Sequence, residues 1–482
     1  MMGLLDRAGA RLTAHPEEAE ILIVNTCSFI DTAQQESVDT ILEMARLKTT
    51  GAARKLIVAG CLVERYRDEI RKNIPEVDAV VGTGELESIL FAAGLESPAP
   101  AAADSPFNIL PGSAAGSRPG QESLSGAHKR EAAQFRPEGA LREQQGRFRR
   151  DRWEGAAHLL PTYLYNENTP RLLSTPKSSA YIKIAEGCDH PCSFCVIPNL
   201  RGKFRSRRFE SVVAEARQLV ARGVQEITLI GQDTTCYGED LGLGDGLATL
   251  LDTLAQIEGL RWLRFLYAYP NRITGRLLDT IARHENICKY LDVPLQHAAP
   301  GVLKRMKRGG SPEIFLKTLE KIRAAVPGIA LRTSFIAGFP GESASDFEIL
   351  EQFVGDAKFD WMGVFSYSDE EGSGAYSLDG KVPKRTIEAR RRRLMKLQQG
   401  ISRRARRAWV GRELLLLAEG PSEETDLLWN GRTEFHAPEI DGNVYINDFG
   451  AKETLAPGCF YRVRITEAHD YDMVACILDG PC

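Results

Sequence analysis

The chain has 482 residues, of which 43% are hydrophobic and 26% are charged, and its formal net charge is −4 at pH 7. This composition is ordinary for a globular protein, and the length predicts roughly two to four domains. No uncharged apolar run approaches the ~20 residues of a membrane span, and Met1–Arg7 lacks the apolar core of a signal peptide. We therefore expect a cytoplasmic protein without a membrane partner, in which clustered cysteines are metal ligands or catalytic groups.

Residues 1–95 predict an open α/β domain. Three short apolar runs are typical of buried parallel strands, namely Ile21–Val24, Leu56–Val58 and Ala79–Val81. A helical spacing of apolar residues over 37–47 separates the first two. Cys27 and Cys61 each follow one of these strands. Because ligand sites in open α/β sheets gather at the carboxyl ends of strands, both thiols are candidate metal ligands, and the alternative is that they are small buried hydrophobic residues.

Residues 96–177 predict a low-complexity linker or surface insertion. The segment is rich in Pro, Ala, Gly and Ser and then in charges of both signs, so it offers little apolar surface to offset the entropy of ordering. Four arginines within it are either solvated, which we favour, or contacts for nucleic acid: Arg147, Arg149, Arg150 and Arg152.

Residues 178–408 alternate predicted strands and helices, which indicates a parallel sheet with helical crossovers. The strands are expected at 181–184, 226–230, 262–267, 290–293, 330–336 and 361–365, and the helices at 209–222, 246–257, 273–283, 312–325 and 344–354. Six such units are too few for the closed eight-stranded barrel, so we expect an open or partial barrel. A very basic helix follows at Lys384–Arg407, either as a face that pairs with neighbouring acids or as a contact for RNA.

Three cysteines lie directly after the first of these strands, in the spacing Cys-x-x-x-Cys-x-x-Cys: Cys188, Cys192 and Cys195. A closed zinc site or a simple ferredoxin cluster takes four protein ligands. Three thiolates on a four-iron cluster leave one iron open to an outside molecule. The alternative is a loop with three buried free thiols, which the spacing disfavours. His190 lies within the motif, and we interpret it as a loop residue rather than a ligand.

Residues 409–482 predict a small all-β barrel, with strands expected at 414–417, 444–446, 461–465 and 473–477. Residues 411–482 contain five basic and fourteen acidic side chains, for a net charge of −9. A barrel that binds RNA has to neutralise phosphates with Lys and Arg. This charge therefore favours a basic protein as the partner.

Apart from the insertion, the chain resembles the radical S-adenosylmethionine (radical SAM) methylthiotransferases. The resemblance is carried by Asn25–Ile30, Val58–Cys61, Glu186–Cys195, Gly231–Thr235, Leu291–His297 and Gly338–Glu342. Within this family the segments Ser37–Glu43 and Ala437–Gly442 are similar to the RimO branch, which modifies a ribosomal protein. The resemblance implies an N-terminal cluster domain, a partial (βα)6 barrel and a C-terminal TRAM domain.

The resemblance also implies cofactors and roles. Cys188, Cys192 and Cys195 would hold a 4Fe-4S cluster that cleaves SAM to a 5′-deoxyadenosyl radical, and Cys27 and Cys61 would hold a second cluster that supplies methylated sulfur. The target would be the β-carbon of an aspartate in a basic small-subunit ribosomal protein, with an external one-electron donor. Four residues near strand ends are candidate SAM contacts, with ordinary barrel packing as the alternative: Gly231, Gln232, Gln296 and Arg332.

The sequence departs from the family pattern at the second cluster. The family has a further cysteine in a Gly-Cys-Pro-Lys-Asn-like segment, and Met1–Leu5 aligns just after that segment. We expect a truncated or misassigned start, which in-frame sequence upstream of Met1 would test. A replacement ligand, Cys236 or Cys288, is the less favoured explanation. The alternatives in function are a tRNA adenosine methylthiotransferase of the MiaB branch and an impaired product that binds one cluster. We expect a monomer, and direct contact with RNA stays open.

Overall fold

The computed structural model describes residues 1–95, 163–423, 425 and 427–480. The four arginines between 147 and 152 and most of the predicted insertion lie outside the described residues. Residues 163–177 do contact the rest of the protein. The hydroxyl of Tyr165 accepts a hydrogen bond from the backbone N–H of Lys183 at 2.8 Å, and the Arg171 guanidinium pairs with Glu215 at 2.6 Å. This part of the chain therefore packs on the outside of the central domain.

The N-terminal domain is a three-stranded parallel sheet in the order β1-β2-β3, with helices against it. Its elements are α1 (Met2–Arg7), β1 (Ile21–Thr26), α2 (Asp31–Thr50), β2 (Lys55–Gly60), α3 (Cys61–Asn73), β3 (Ala79–Val81) and α4 (Ser88–Ala93). All three predicted strands are present. Helix α2 begins earlier than predicted because its first turns are polar and give no apolar periodicity, and α3 was not predicted.

The central domain contains six main parallel strands that follow one another in sequence order. They form two three-stranded sheets, β4-β7-β8 and β9-β10-β11, which are linked by a parallel bridge between Leu263 and Ile287. The six main strands are β4 (Ser179–Lys183), β7 (Glu226–Ile230), β8 (Trp262–Phe265), β9 (Tyr290–Asp292), β10 (Ala330–Ala337) and β11 (Trp361–Ser366). Two short strands, β5 (Ala185–Glu186) and β6 (Arg205–Ser206), pair only with each other. The predicted partial barrel is confirmed.

The helices of the central domain pack mainly on the outside of this barrel and bury its apolar core, whereas the short helix after the cysteine motif packs with Cys61 of the N-terminal domain. They are α5 (Ile197–Arg201), α6 (Phe209–Ala221), α7 (Gly246–Leu254), α8 (Gly275–Arg283), α9 (Pro300–Arg305), α10 (Pro312–Ala325), α11 (Ala344–Ala357) and α12 (Lys384–Arg407). Helix α11 begins with a capping box, in which Ser343 and Asp346 satisfy each other's backbone N–H groups. None of the helices in the described ranges has the length and apolar character to cross a bilayer.

The C-terminal domain is a closed five-stranded barrel in the order β12-β13-β14-β16-β15. Its strands are β12 (Glu413–Pro421), β13 (Trp429–Thr433), β14 (Val444–Asp448), β15 (Phe460–Ala468) and β16 (Met473–Asp479). Four of the five strands were predicted. Strand β13 was missed because its sequence, Trp-Asn-Gly-Arg-Thr, has one large apolar residue and a glycine, so it shows no alternation.

The C-terminal barrel docks across the amino-terminal ends of the central strands. Arg432 pairs with Glu226, the first residue of β7, at 2.7 Å, and the two side chains are 3% and 1% exposed. The indole N–H of Trp361, the first residue of β11, donates to the carbonyl of Phe435 at 2.8 Å. The C-terminal barrel therefore closes the end of the central domain that lies opposite the cysteine motif.

The basic helix α12 connects these two domains through paired arginines. Arg390 contacts Glu342 of the central domain at 2.6 Å, and Arg403 pairs with Asp470 of the C-terminal barrel. The Arg406 guanidinium lies 3.9 Å from the ring centre of Trp361. These contacts agree with the interpretation of α12 as a face that pairs with neighbouring acids, and contact with ribosomal RNA stays a prediction.

Candidate functional site

The cysteine motif lies on a loop at the carboxyl end of β4, and Gly187 shapes its entry. Gly187 has φ +79°, and a Cβ added there would lie 2.2 Å from the carbonyl oxygen of Lys203. The next residue, Cys188, donates its backbone N–H to the carbonyl of Gly202 at 3.3 Å. Only glycine tolerates both this backbone conformation and this close approach, so the residue before the first cysteine fixes the path of the loop.

All three motif cysteines line one cavity of about 630 Å³ inside the mouth of the partial barrel. Burial raises the pKa of Cys188 to about 11 and that of Cys195 to about 12. Without a cation these thiols stay protonated, whereas coordination to a metal removes the proton outright. A bound cation would therefore complete the electrostatic environment of the Cys188 and Cys195 sulfurs.

The four candidate SAM contacts, Gly231, Gln232, Gln296 and Arg332, line the same cavity. Gly231 and Gln232 follow the carboxyl end of β7. The Oε1 atom of Gln232 is buried and has no hydrogen-bond partner among the described residues. An unpaired buried acceptor is costly, and a ligand with an N–H or O–H group in the cavity would satisfy it. The structure therefore brings together all seven residues that the sequence assigned to this centre.

Arg332 also has protein partners of its own. Its guanidinium pairs with Asp292 at 2.7 Å and lies 3.6 Å from Asp441 of the C-terminal barrel. Asp441 in turn accepts a hydrogen bond from the buried Tyr290 hydroxyl at 2.7 Å. The neighbouring Ile440 lines the cavity, so a loop of the C-terminal domain contributes to the wall of this site.

Exposed apolar side chains from all three domains line this cavity. They are Phe29, 42% exposed, from the N-terminal domain, Tyr267 and Phe365, 41% and 51% exposed, from the central domain, and Ile440, 41% exposed, from the C-terminal domain. Such side chains exclude water once a ligand covers them. Sequence reasoning missed these four residues, because a single apolar residue in a loop or at a strand end carries no pattern that separates it from core.

His190 lies on the cysteine loop and is held by two neighbours. Its Nε2 atom is 2.6 Å from Oδ2 of Asp233, and its ring stacks on Tyr269 with centroids 3.8 Å apart. Cys236 donates its thiol to the same Asp233 oxygen at 3.0 Å. Burial opposes ionisation of Asp233, but hydrogen bonds from His190, Cys236 and Thr235 hold its pKa below the usual range. This network satisfies Cys236 within the protein and ties His190 to the loop after β7.

Cys27 and Cys61 lie at the carboxyl edge of the N-terminal sheet, as predicted. Cys27 follows β1 in an exposed position, and Cys61 begins α3 and is buried. Cys61 lines a second cavity of about 240 Å³ together with Glu186 and Arg201 of the central domain. Arg201 donates to the Cys61 sulfur at 3.4 Å and pairs with Glu186 at 2.8 Å. Glu186 comes two residues before Cys188, so a short chain of contacts connects the two cysteine sites.

Three family models match the chain. Residues 182–354 match the Radical SAM superfamily, residues 1–82 match the Uncharacterized protein family UPF0004, and residues 410–478 match the TRAM domain. Together with the partial barrel and the three-cysteine loop, these matches define the class of the protein. It is a radical SAM transferase with an additional N-terminal α/β domain and a C-terminal TRAM domain.

Curated relatives match over almost the full chain, and each bears the name ribosomal protein uS12 methylthiotransferase RimO. The protein from Koribacter versatilis is 66% identical over 99% of this chain and 93% of its own length. Those from Solibacter usitatus and Myxococcus xanthus are 54% and 42% identical, over 99% and 100% of this chain and 91% and 88% of their own lengths. This chain belongs to the RimO family of radical SAM methylthiotransferases.

Proposed function

We propose that this chain attaches a methylthio group to the β-carbon of an aspartate in ribosomal protein uS12. The observation that supports this most directly is the single cavity that holds the three motif cysteines and the four candidate SAM contacts, in a chain of the RimO family. When bound, the 4Fe-4S clusters and SAM supply the radical that removes hydrogen from an unactivated carbon and the methylated sulfur that replaces it. The chain's own residues bind and orient these groups.

Each part of the cavity has a task in this proposal. Cys188, Cys192 and Cys195 hold the radical-generating cluster and leave one iron open for SAM. Gln232 accepts a hydrogen bond from SAM through its otherwise unpaired oxygen. The apolar wall, which includes Phe365, covers the reacting carbon and keeps water away from it.

Cys27 and Cys61 are the proposed ligands of the second cluster. Their placement at the edge of the N-terminal sheet, with Arg201 of the central domain on the Cys61 sulfur, sets this site against the radical SAM domain. Burial raises the pKa of the Cys61 thiol, and the positive Arg201 guanidinium beside the sulfur opposes that rise. The N-terminal domain would thus present its cluster at the boundary with the domain that binds SAM.

The charge of the TRAM domain is consistent with a basic protein substrate in the cytoplasm. Several of its acids are used inside the molecule, as shown by the pairs of Asp441 and Asp470 with the central domain and α12. Four others are exposed and take part in no ion pair among the described residues: Glu423, Glu439, Asp448 and Glu453. An acidic surface attracts a basic protein and repels RNA, so the tRNA-modifying alternative gains no support.

The substrate assay separates these alternatives. Purified chain, reductant and SAM are incubated with purified uS12 or with tRNA, and the mass of each is measured. We expect a mass increase on uS12 alone, and a modified tRNA with unmodified uS12 would overturn the proposal. Iron analysis of the purified chain tests the cofactors, since about eight irons per chain indicates two 4Fe-4S clusters and about four indicates one.

Cys192→Ala tests the assignment of the radical-generating cluster. We expect the variant to lose deoxyadenosine formation, because removal of one of three ligands destroys the cluster. Cys459→Ala, which changes a partly exposed thiol in the C-terminal barrel, serves as the matched control and should retain it. Persistent SAM cleavage in Cys192→Ala would show that the assignment is wrong.

A further inference from the structure

Arg308 lies beside the cysteine loop and directs its guanidinium at one of the three motif sulfurs. It follows α9 and lines the large cavity. Its Nη1 atom donates to the sulfur of Cys192 at 3.6 Å, and its Nη2 atom donates to the carbonyl of Pro294 at 2.9 Å. The second hydrogen bond anchors the guanidinium to the segment after β9. The group that contacts the Cys192 sulfur through Nη1 is therefore held in place through Nη2.

A stack of rings supports the same guanidinium. Arg308 lies over the ring of Tyr269, 4.5 Å from its centre. His190 stacks on Tyr269 at 3.8 Å, with the rings 9° from parallel. His190 in turn is held by Asp233 at 2.6 Å. Side chains from three segments of the central domain therefore contact the cysteine loop. Asp233 and Tyr269 contact it at His190, and Arg308 contacts it at Cys192.

The positive charge of Arg308 has no carboxylate partner in the part of the chain that the structure describes. Among the ion pairs of the described residues, none includes Arg308. Its neighbour Arg305, in contrast, lies 4.0 Å from Asp346. A guanidinium that is half-buried, stacked and anchored, yet has no acidic partner, is well suited to an anionic group in the cavity. The nearest such group is the thiolate that Cys192 presents once it ligates a metal.

We propose that Arg308 is a positioning residue that hydrogen-bonds the Cys192 thiolate and raises the reduction potential of the cluster on Cys188, Cys192 and Cys195. The inference rests on the proposed function, because it requires that cluster. Reduction adds one electron, and therefore one negative charge, to the cluster without breaking a bond. Hydrogen bonds to cluster sulfurs set the potential of such centres, and a charge-assisted hydrogen bond strengthens as the sulfur becomes more negative. Arg308 thus makes the electron easier to add.

The test is an equilibrium redox titration of the reconstituted full chain in the absence of SAM, with dithionite as reductant. Electron paramagnetic resonance follows the reduced cluster whose signal is missing from Cys192→Ala, which separates it from the second proposed cluster. Arg308→Gln removes the charge and the stacked plane. We expect the equilibrium constant for reduction to fall about tenfold, which for one electron is a shift of about 59 mV to more negative potential. Arg308→Lys keeps the charge, and its reduction potential should lie between those of the unchanged chain and Arg308→Gln.

Two further variants make the result specific. Lys307→Gln removes the same charge from an exposed neighbouring residue. It should change the equilibrium constant for reduction of the cluster by less than twofold. Tyr269→Leu keeps Arg308 and every cysteine but removes the ring between Arg308 and His190, and it should shift the potential in the same direction as Arg308→Gln. A potential unchanged in Arg308→Gln at equal iron content would overturn the inference.

Iron content distinguishes this failure from failure of the proposed function. If the unchanged chain binds no cluster that depends on Cys192, the proposed function is wrong, because it requires that cluster. If the cluster forms and Arg308→Gln leaves its potential unchanged, only the role of Arg308 fails. If Arg308→Gln loses its iron, the potentials of Arg308→Lys and Tyr269→Leu test the inference instead. Unchanged potentials in both of these variants would overturn the role of Arg308.

Discussion

Arg65 of the N-terminal domain and Glu370 of the central domain form an ion pair of 2.8 Å in which the side chains are 2% and 3% exposed. Gln34 donates to the same Glu370 oxygen, also at 2.8 Å. The backbone carbonyl of Ser28, next to Cys27, accepts a hydrogen bond from Arg65 at 3.1 Å. This buried pair therefore joins the loop that carries Cys27 to the segment that follows β11 at the rim of the large cavity.

Loss of this pair should separate the two domains. Arg65→Met leaves Glu370 buried without its counter-charge, which typically costs about 3–5 kcal/mol. We expect a lower midpoint of urea unfolding and faster proteolysis between the domains. Arg67→Met removes a pair with Glu85 that is 33% and 44% exposed, and a pair of that kind contributes about 0–1 kcal/mol. Equal urea midpoints for the two variants would show that the buried pair does not stabilise the contact between the N-terminal and central domains.

Gly187→Ala should disrupt the cysteine loop. The added methyl group meets the backbone of Lys203 at 2.2 Å, so the loop has to move in addition to adopting a disfavoured backbone conformation. Gly223→Ala is the matched control, since Gly223 also has a positive φ, +96°, but faces open space. We expect the control to cost only about 1–2 kcal/mol in stability and to keep its iron. Gly187→Ala should lose most of its iron on the radical-generating site, and full retention would contradict the steric argument.

Glu226 should give the protein a stability that depends on pH. Burial raises the pKa of this carboxyl, but the Arg432 charge and its hydrogen bonds, with smaller contributions from Arg264 and Ser179, outweigh burial and hold the pKa at about 2. Because the folded pKa lies below the unfolded value, the stabilisation is fully present above about pH 4.5 and is lost as the pH falls towards 2.

Measurement of the unfolding temperature from pH 7 to pH 2 tests this dependence. Glu226→Gln should be less stable at pH 7 and should lose less stability than the unchanged chain below pH 4.5. Glu413→Gln removes an exposed carboxylate that pairs with Arg462 and Arg464, and its pH profile should follow that of the unchanged chain. Parallel profiles for Glu226→Gln and the unchanged chain would show that this carboxylate is not a source of the acid sensitivity.

Phe365 should contribute to substrate binding through its apolar surface. The side chain is 51% exposed in the cavity, so Phe365→Ser should leave the unfolding temperature nearly unchanged. If uS12 covers this ring, the loss of apolar burial is worth about 1.5–3 kcal/mol, and KM for uS12 should rise at least tenfold. Phe91→Ser changes a side chain that is 90% exposed on α4 and should leave KM unchanged. The same KM in both variants would show that Phe365 does not touch the substrate.

The sequence brought the three motif cysteines together as one candidate centre because this information is local. Cys188, Cys192 and Cys195 lie within eight residues, and their spacing is readable without knowledge of the fold. Likewise Cys27 and Cys61 follow apolar runs that are strands in the structure. The contacts of Arg308 and Arg201 with cysteine sulfurs could not be predicted, because each joins residues more than one hundred positions apart.

Charge was only a partial guide. The acidic composition of the C-terminal barrel is a fact of the sequence, yet Asp441 and Asp470 are paired within the molecule. The sequence also gave no sign that Ile440 reaches the cavity. A sum of charges does not reveal which carboxylates face solvent, because burial and pairing depend on how domains dock.

By itself the amino-acid sequence determined most of the strands and helices, the three-cysteine motif and the family, since periodicity and spacing are properties of neighbouring residues. Only the tertiary structure decided which side chains share one cavity, that the TRAM domain closes the amino-terminal end of the partial barrel, and that Arg308 faces Cys192. The reason is physical: these relationships arise from packing between segments far apart in the chain, where buried charges and apolar surfaces find partners that no local pattern records.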